Sequence, residues 1–280
     1  MREDMLEKII MQTVDVPSIP PVASKVLQLV SSDYASINEL ENIIVQDQSF
    51  STRILKIANS PYYGRGKSVD TISTAIIIIG FNSVKSLVMA ASLKDLHRKS
   101  GLFEQQHWEH SLGVSMAASL LAAETNMLMP EDVLTGGLIH DVGKIIINNS
   151  LPDQYSLVID KVYEEKIPSI VVEDAILGFN HCNVGGLIAR KWKLPKNLEA
   201  VIEYHHAEQY PPFEDSGYGI LCQIVQVADA MCLHLGIGMQ GAVDFSKIGF
   251  EQLGLTTARF NSLQEKLKQD FDSQKDHLLE

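Results

Sequence analysis

The sequence predicts an all-α protein of two packed helical lobes, residues 1–100 and 101–280. Three observations carry that prediction. Apolar residues recur mostly at helical spacing, the pattern of a buried helix face. Helix-start signals precede several of these stretches. The one run with strand character, Ile76 to Ile79, has no second run of similar quality to pair with, and a lone strand would leave its backbone groups unsatisfied. No internal repeat, low-complexity tract or Gly/Ser linker interrupts the pattern.

The elements follow in order. Pro20-Pro21 suit a helix start and not a helix interior. After them Val22, Val26, Leu27, Leu29 and Val30 form an apolar face. Ser36 is placed as an N-cap with Glu39 three residues on, the capping-box spacing, ahead of Ile37, Leu40, Ile43 and Ile44. Ser49 is placed as the next cap, before Phe50, Ile54, Leu55 and Ile57, and that helix ends near Asn59-Ser60-Pro61. Pro61 to Gly66 combines aromatics, glycine and Arg65, and reads as an ordinary turn or a contact loop. Thr71–Ile79 is expected to be a buried helix ending at Gly80, and Ser83–Leu96 another. The short polar break His97–Gly101 implies packed lobes, not freely jointed domains. Beyond it, helices are expected from Trp108 to about Thr125 and from Pro130-Glu131-Asp132 toward His140, the acids lying where the helix dipole favours them. Others are expected at about Asp153–Glu165, Ser169–Leu177, Asn183–Lys191, Lys196–His206, Gly219–Leu235 and Thr256–Leu279.

Composition narrows the function. Hydrophobic residues make up 45% and charged residues 21% of 280 positions, enough apolar material for a sizeable core. Lys plus Arg number 23 against 35 Asp plus Glu, a formal charge of -12. A field of that sign repels phosphate backbones, and no basic patch offsets it; the densest cluster, His97-Arg98-Lys99, reads as a solvated turn. DNA is therefore not an expected partner. Cys182, Cys222 and Cys232 show no CxxC spacing and read as buried thiols in a reducing compartment. The start, MREDMLEKIIMQTV, has acids in its first turn and lacks the apolar core of a signal peptide. The uncharged run Thr71–Val84 is broken by polar residues and is shorter than the ~20 apolar residues that span a bilayer. A soluble, cytoplasmic protein with no membrane partner is the expectation.

Nine histidines are present. His110 in WEHS, His140 in LIHDVGK, His181 in FNHCNVGG and His205-His206 in YHH have informative surroundings, with His107 close to the first. Asp141 follows His140, and Asp229 lies in VADAMC. Imidazoles and carboxylates suit divalent iron, manganese and zinc. The absence of a cysteine pair argues against a sulfur-rich structural zinc site. An aspartate can bridge two cations, and two ions about 3.5–4 Å apart activate a shared water and clamp a phosphoryl group. Lys144, four residues after His140 and three after Asp141, is placed near their face of a helix, where it could bind a phosphate oxygen. Neighbouring helix positions diverge by about 100°, so His140 and Asp141 converge only at a helix end or bend, which Gly143 suggests. Isolated histidines such as His97, His107, His234 and His277 suit ordinary hydrogen-bonded positions. Asp229, amid Val227, Ala228, Ala230 and Met231, is costly to bury unless paired or coordinated. Glu173 reads as a helix-start acid or as part of the site.

These residues resemble the HD superfamily of metal-dependent phosphohydrolases, whose pattern is a histidine, then His-Asp, then a late aspartate. The resemblance implies a helical bundle for the second lobe, with His110, His140, Asp141 and Asp229 as ligands of a first ion. It extends to the related HD-GYP pattern, in which Asp141 bridges and His181, His205 and His206 hold a second ion. VPSIPPVASKVLQLVSSDYASINELENIIVQDQSFSTRILKIANSPYYG and AIIIIGFNSVKSLVMAASL resemble the amino-terminal half of HDOD domains, and HCNVGGLIARKWKLPKNLEAVIEYHH resembles their carboxy-terminal half, over roughly residues 15–240. That family is bacterial and all-helical and occurs in signalling and regulatory proteins. The resemblance therefore implies a regulatory protein with one or two divalent ions, of iron or manganese type, acting by binding a signalling protein partner or a nucleotide. The alternative it implies is a metal-dependent phosphohydrolase, with Asp141 and Lys144 in catalytic roles. HD-GYP enzymes follow His-His with Gly-Tyr-Pro. Here HHAEQYPPFEDSGYG places Gly217-Tyr218 late and before Gly219, which argues against cyclic di-GMP hydrolysis.

Overall fold

The fold is that of a computed structural model, which describes residues 2–15, 18, 21–30, 36–59, 68–81, 83–84, 88, 101–210, 216–239, 243, 245 and 248–279. The architecture is all-α, and no strand occurs among the described residues. The helices are α1 (Arg2–Thr13), α2 (Pro21–Val30), α3 (Ile37–Ile44), α4 (Gln48–Ala58), α5 (Ile72–Ile79), α6 (Leu102–Thr125), α7 (Pro130–Ile139), α8 (Val142–Ser150), α9 (Pro152–Glu165), α10 (Ser169–Leu177), α11 (His181–Lys191), α12 (Lys196–Tyr204), α13 (Ser216–Leu235) and α14 (Thr257–Leu279). A short 3₁₀ turn, Phe250–Leu253, precedes α14.

Local chemistry explains the early elements. Ser36 caps α3 by accepting from the Glu39 amide at 3.3 Å, while Glu39 accepts from the Ser36 amide at 2.9 Å. Leu40 and Ile44, one turn apart, are fully buried. The capping position of α4 differs from expectation. That helix starts at Gln48, so Ser49 lies inside its first turn, and the Asp47 carbonyl accepts from the Ser51 amide. Thr71 caps α5, and Gly80, at φ 97°, ends it. Ile72, Ala75, Ile76 and Ile79 of α5 are buried, but Ile77 and Ile78 face outward, so the helix is buried on one side and not all round. The Pro61–Gly66 segment and most of the stretch from Phe81 to Ser100 lie outside the described residues.

α6 organises the remainder. It packs against α7, α13 and α14, and its twenty-four residues make a rod of about 36 Å at 1.5 Å per residue. It begins at Leu102, not Trp108. The polar stretch from Glu104 to Gln106 masks the periodicity there, although the Gln105 amide already bonds to the Gly101 carbonyl. α13, apolar and long enough to cross a membrane by length and composition alone, is a core helix against α6, α7 and α12, with Leu221, Cys222, Ile224, Val225 and Ala228 buried. α14 lays Phe260, Leu263, Leu267 and Phe271 inward at helical spacing, and its Arg259 forms a forked pair with Glu124 of α6 at 2.6 Å. α1 meets α11, and α4 meets α14, so both ends of the chain contact the central bundle.

The helix expected from Pro130 toward His140 is α7, whereas periodicity gives no sign of α8. The chain breaks helix at His140-Asp141, and Val142–Ser150 forms a separate short helix. α8 then touches α11 at Gly143, where a Cβ would overlap the carbonyl oxygen of His181. Because that neighbour is backbone, it cannot swing aside. Gly143→Ala is therefore expected to destabilise the fold by about 1–3 kcal/mol, as overpacking does. Urea denaturation checks this, and an unchanged midpoint would refute the close approach.

Candidate metal centre

The break at His140-Asp141 creates the site. Asp141 adopts φ -95°, ψ 15°, the bridge region, and so leaves helical geometry between α7 and α8. Two side chains that would diverge in mid-helix now converge, with His140 Nε2 3.3 Å from Asp141 Oδ2. α6 brings His110 to the same place, 3.8 Å from Asp141 Oδ2. His181, the first residue of α11, sets Nε2 3.3 Å from Asp141 Oδ1. The turn after α12 adds His205, 3.6 Å from Asp141 Oδ1, and His206. α13 contributes Asp229, whose Oδ1 lies 2.9 Å from His110 Nε2 and 3.9 Å from His140 Nε2; His206 Nε2 is 3.9 Å from its Oδ2. The residues expected from sequence, His110, His140, Asp141, His181, His205, His206 and Asp229, are thus brought together. They fall into two sets of converging atoms, His110-His140-Asp141 and Asp141-His181-His205-His206, each within 4.8 Å, with Asp141 common to both.

The imidazoles are oriented by what lies behind them. His140 Nδ1–H donates to the Gly137 carbonyl at 2.8 Å, and His205 Nδ1–H to the Val201 carbonyl at 2.9 Å. His181 Nδ1–H donates to Glu173 Oε2 at 2.5 Å. His110 Nδ1–H donates to the Ile237 carbonyl at 3.3 Å. Each acceptor engages Nδ1–H and leaves Nε2 facing the centre. Gly238, at φ 71°, lets the loop bearing Ile237 press against the backbone of His110, where a Cβ would clash. The Nε2 atoms of His181 and His205 stand 3.4 Å apart. His140 Nε2 and Asp141 Oδ1 are buried with no partner in hydrogen-bond geometry. Buried polar atoms are nearly always satisfied, so converging unsatisfied acceptors fit a cation.

The electrostatics follow from burial opposed by neighbours. Burial holds His140 below the usual imidazole range, and burial with the His205 charge pushes His206 well below it. Burial works against charge on His181 too, but the Glu173 carboxylate outweighs it and carries that ring up to about 10. Burial would raise the Asp141 carboxyl; His140 and Lys144 overcome it and hold the group well below the usual carboxylate range. Burial likewise opposes the ionised Asp229, which His110 holds low. Lys144 is buried, with Nζ 2.7 Å from Asp141 Oδ2, so its ammonium is committed to that carboxylate.

Several contributors were weak or silent in the sequence. Glu173 is no helix-start acid: it lies in mid-α10, fully buried, and also accepts from the His181 amide at 2.8 Å and the Tyr155 hydroxyl at 3.0 Å. Its position eight residues before His181 was the available signal. His107 is buried, with Nε2 3.2 Å from the Asp141 carbonyl. Cys182 places Sγ 3.9 Å from the His205 ring nitrogens. Gly217-Tyr218 falls in the first turn of α13. A cavity of about 250 Å³ adjoins the centre, and Lys144, His206 and Asp229 form part of its wall.

Comparison with known proteins agrees with this architecture. A crystal structure of an HDOD domain protein of unknown function from Geobacter sulfurreducens matches at TM-score 0.80 and 27% identity, over 99% of this chain and 96% of that one. One from Marinobacter aquaeolei VT8, described as a proposed signal transduction protein, matches at 0.78 and 18% identity, over 98% and 64%. A third from Shewanella amazonensis SB2B, described as a proposed metal-dependent phosphohydrolase, matches at 0.64 and 20% identity, over 97% and 100%. The chain spans 39% and 28% of the length of the curated relatives it matches. The model of the HDOD domain family matches residues 16–208, and the chain belongs to that family.

Proposed function

We propose that this chain is a regulatory HDOD domain whose centre holds one or two divalent cations, of iron or manganese type. One observation carries the reading: four imidazoles direct Nε2 inward onto a shared aspartate, while His140 Nε2 and Asp141 Oδ1 lack partners. His110, His140, Asp141 and Asp229 would hold one ion, and Asp141, His181, His205 and His206 a second. A regulatory role is supported by the departure from Gly-Tyr-Pro at Gly217-Tyr218-Gly219. The signal would pass to a protein partner or a nucleotide through the seating of residues 1–100 on 101–280, where α1 meets α11 and Glu7 pairs with Arg190 at 3.7 Å.

Phosphoester hydrolysis is the second reading. It is favoured by the placement of Lys144, His206 and Asp229 on the cavity wall, within reach of an ester entering there. A bound cation supplies an acidified water in such a site. Asp141 would orient the centre, and Lys144 would balance charge developing near it.

Protein purified without chelator is expected to carry roughly one to two equivalents of a transition ion. His140→Ala should lose most of it by elemental analysis. Less than about a tenth of an equivalent in the parent, with no uptake on addition, would defeat the reading. Under the hydrolytic reading the same substitution abolishes phosphoester cleavage, and persisting activity would implicate a contaminant.

Cation uptake should strengthen with rising pH. His181, near 10, and His205, held well above its usual range against burial by Cys182 and Asp141, carry protons at neutral pH that a cation must displace. Titration calorimetry in buffers of different ionisation enthalpy reads the released protons, and affinity independent of pH would contradict the assignment of His181 and His205 as ligands.

Glu173→Gln keeps the shape but removes the charge behind His181. Metal affinity should fall about tenfold, in line with other partners that orient ligands, with the circular dichroism spectrum retained. Unaltered affinity would reduce Glu173 to a packing role.

A further inference from the structure

The cavity beside the centre differs sharply from it in character. Its lining is largely apolar and includes Phe103, Val158, Ile159, Val162, Leu233 and Ile248. Three of the polar side chains that also line it, Tyr155, Tyr163 and Gln226, already have partners. Tyr163 donates to Gln106 at 3.3 Å, Tyr155 donates to Glu173 at 3.0 Å, and Gln226 accepts from Tyr210 at 2.9 Å while donating to the Ala207 carbonyl at 3.3 Å. A ribose or nucleobase entering here would give up hydrogen bonds to water and find few in exchange. An alkyl or aryl body loses nothing by the same transfer and gains from burial of its surface. At about 250 Å³ the space is below the roughly 300–1,000 Å³ of sites for drug-sized ligands, so the body is small.

The near end is the reverse. Lys144, His206 and Asp229 line the cavity where it adjoins the centre, with His206 Nε2 3.9 Å from the Asp229 carboxylate and Lys144 Nζ 2.7 Å from the Asp141 carboxylate. One dication on those two carboxylates, with the Lys144 ammonium beside them, gives an excess of positive charge at the only strongly charged end of the described wall. An anionic group fits that end and no other part of the lining.

We propose that the cavity binds a small amphiphile, one anionic head at the Lys144-His206-Asp229 end and an apolar body against Phe103, Ile159, Val162 and Leu233. This rests on the cation-binding reading above and narrows the ligand class for that same site. A carboxylate and a phosphate monoester share the required chemistry of head. The ligand reports to the bundle through α9 and α13, which supply most of the apolar wall.

The test uses the full chain loaded with manganese, with metal content measured in each sample. Octanoate, octyl phosphate, 1-octanol, inorganic phosphate and adenosine monophosphate are titrated by calorimetry. At least one of octanoate and octyl phosphate should bind about tenfold or more tighter than octanol, which lacks the head, and than inorganic phosphate, which lacks the body. The two arms identify the head. Ile159→Trp and Val162→Trp, each filling the cavity away from the centre, should abolish that binding while manganese content stays at the parent value. Adenosine monophosphate binding as tightly as octyl phosphate, or amphiphile binding undiminished in both tryptophan variants, would overturn the proposal. Manganese retained with no preference for the amphiphiles overturns it and leaves the cation reading intact. A parent chain that takes up no manganese overturns both.

Discussion

A single buried carboxylate sets the terms for the rest of this molecule. Asp141 is about 1% exposed and lies within 4 Å of His110, His140, Lys144, His181 and His205. An ionised group in such a place is tolerated only with charge or hydrogen bonds around it. The compensating groups come from α6, α8, the start of α11 and the turn after α12, so those elements must meet at one point for the carboxylate to stay ionised. The glycine contact between α8 and α11 and the packing of α6 on α7 and α13 are the geometric side of that requirement.

The fold was legible where it follows from periodicity and capping. Ser36 and Glu39 announce α3, and Thr71 through Gly80 forms a helix despite its β-branched run, because no partner strand was available. One short helix, α8, and the polar start of α6 were not legible. α8 holds one apolar run beside a break that Gly143 suggests, but the run is too short to declare a helix by periodicity. The start of α6 carries the polar run from Glu104 to Gln106 and an exposed Leu102, although Phe103 and His107 already face inward.

The site divides in the same way. His110, His140, Asp141, His181, His205, His206 and Asp229 are side chains with chemistry of their own, and their spacing matches a known family pattern. What aims them is mostly anonymous. The carbonyls of Gly137, Val201 and Ile237 orient three of the rings, and a carbonyl carries no residue identity. Glu173 had identity but an ambiguous setting, since an acid near a helix start is commonplace. The cavity was invisible because its walls come from α6, α9, α13 and the segment after α13, far apart in the chain.

His181 opens α11, and both its amide and its ring donate to one oxygen of Glu173. Helix ends are where backbones fray first. Loosening the opening turn of α11 therefore also releases an imidazole from its orientation. Solvent exchange at that one amide becomes a clock for the integrity of the whole centre, readable without a substrate, a ligand or an assay.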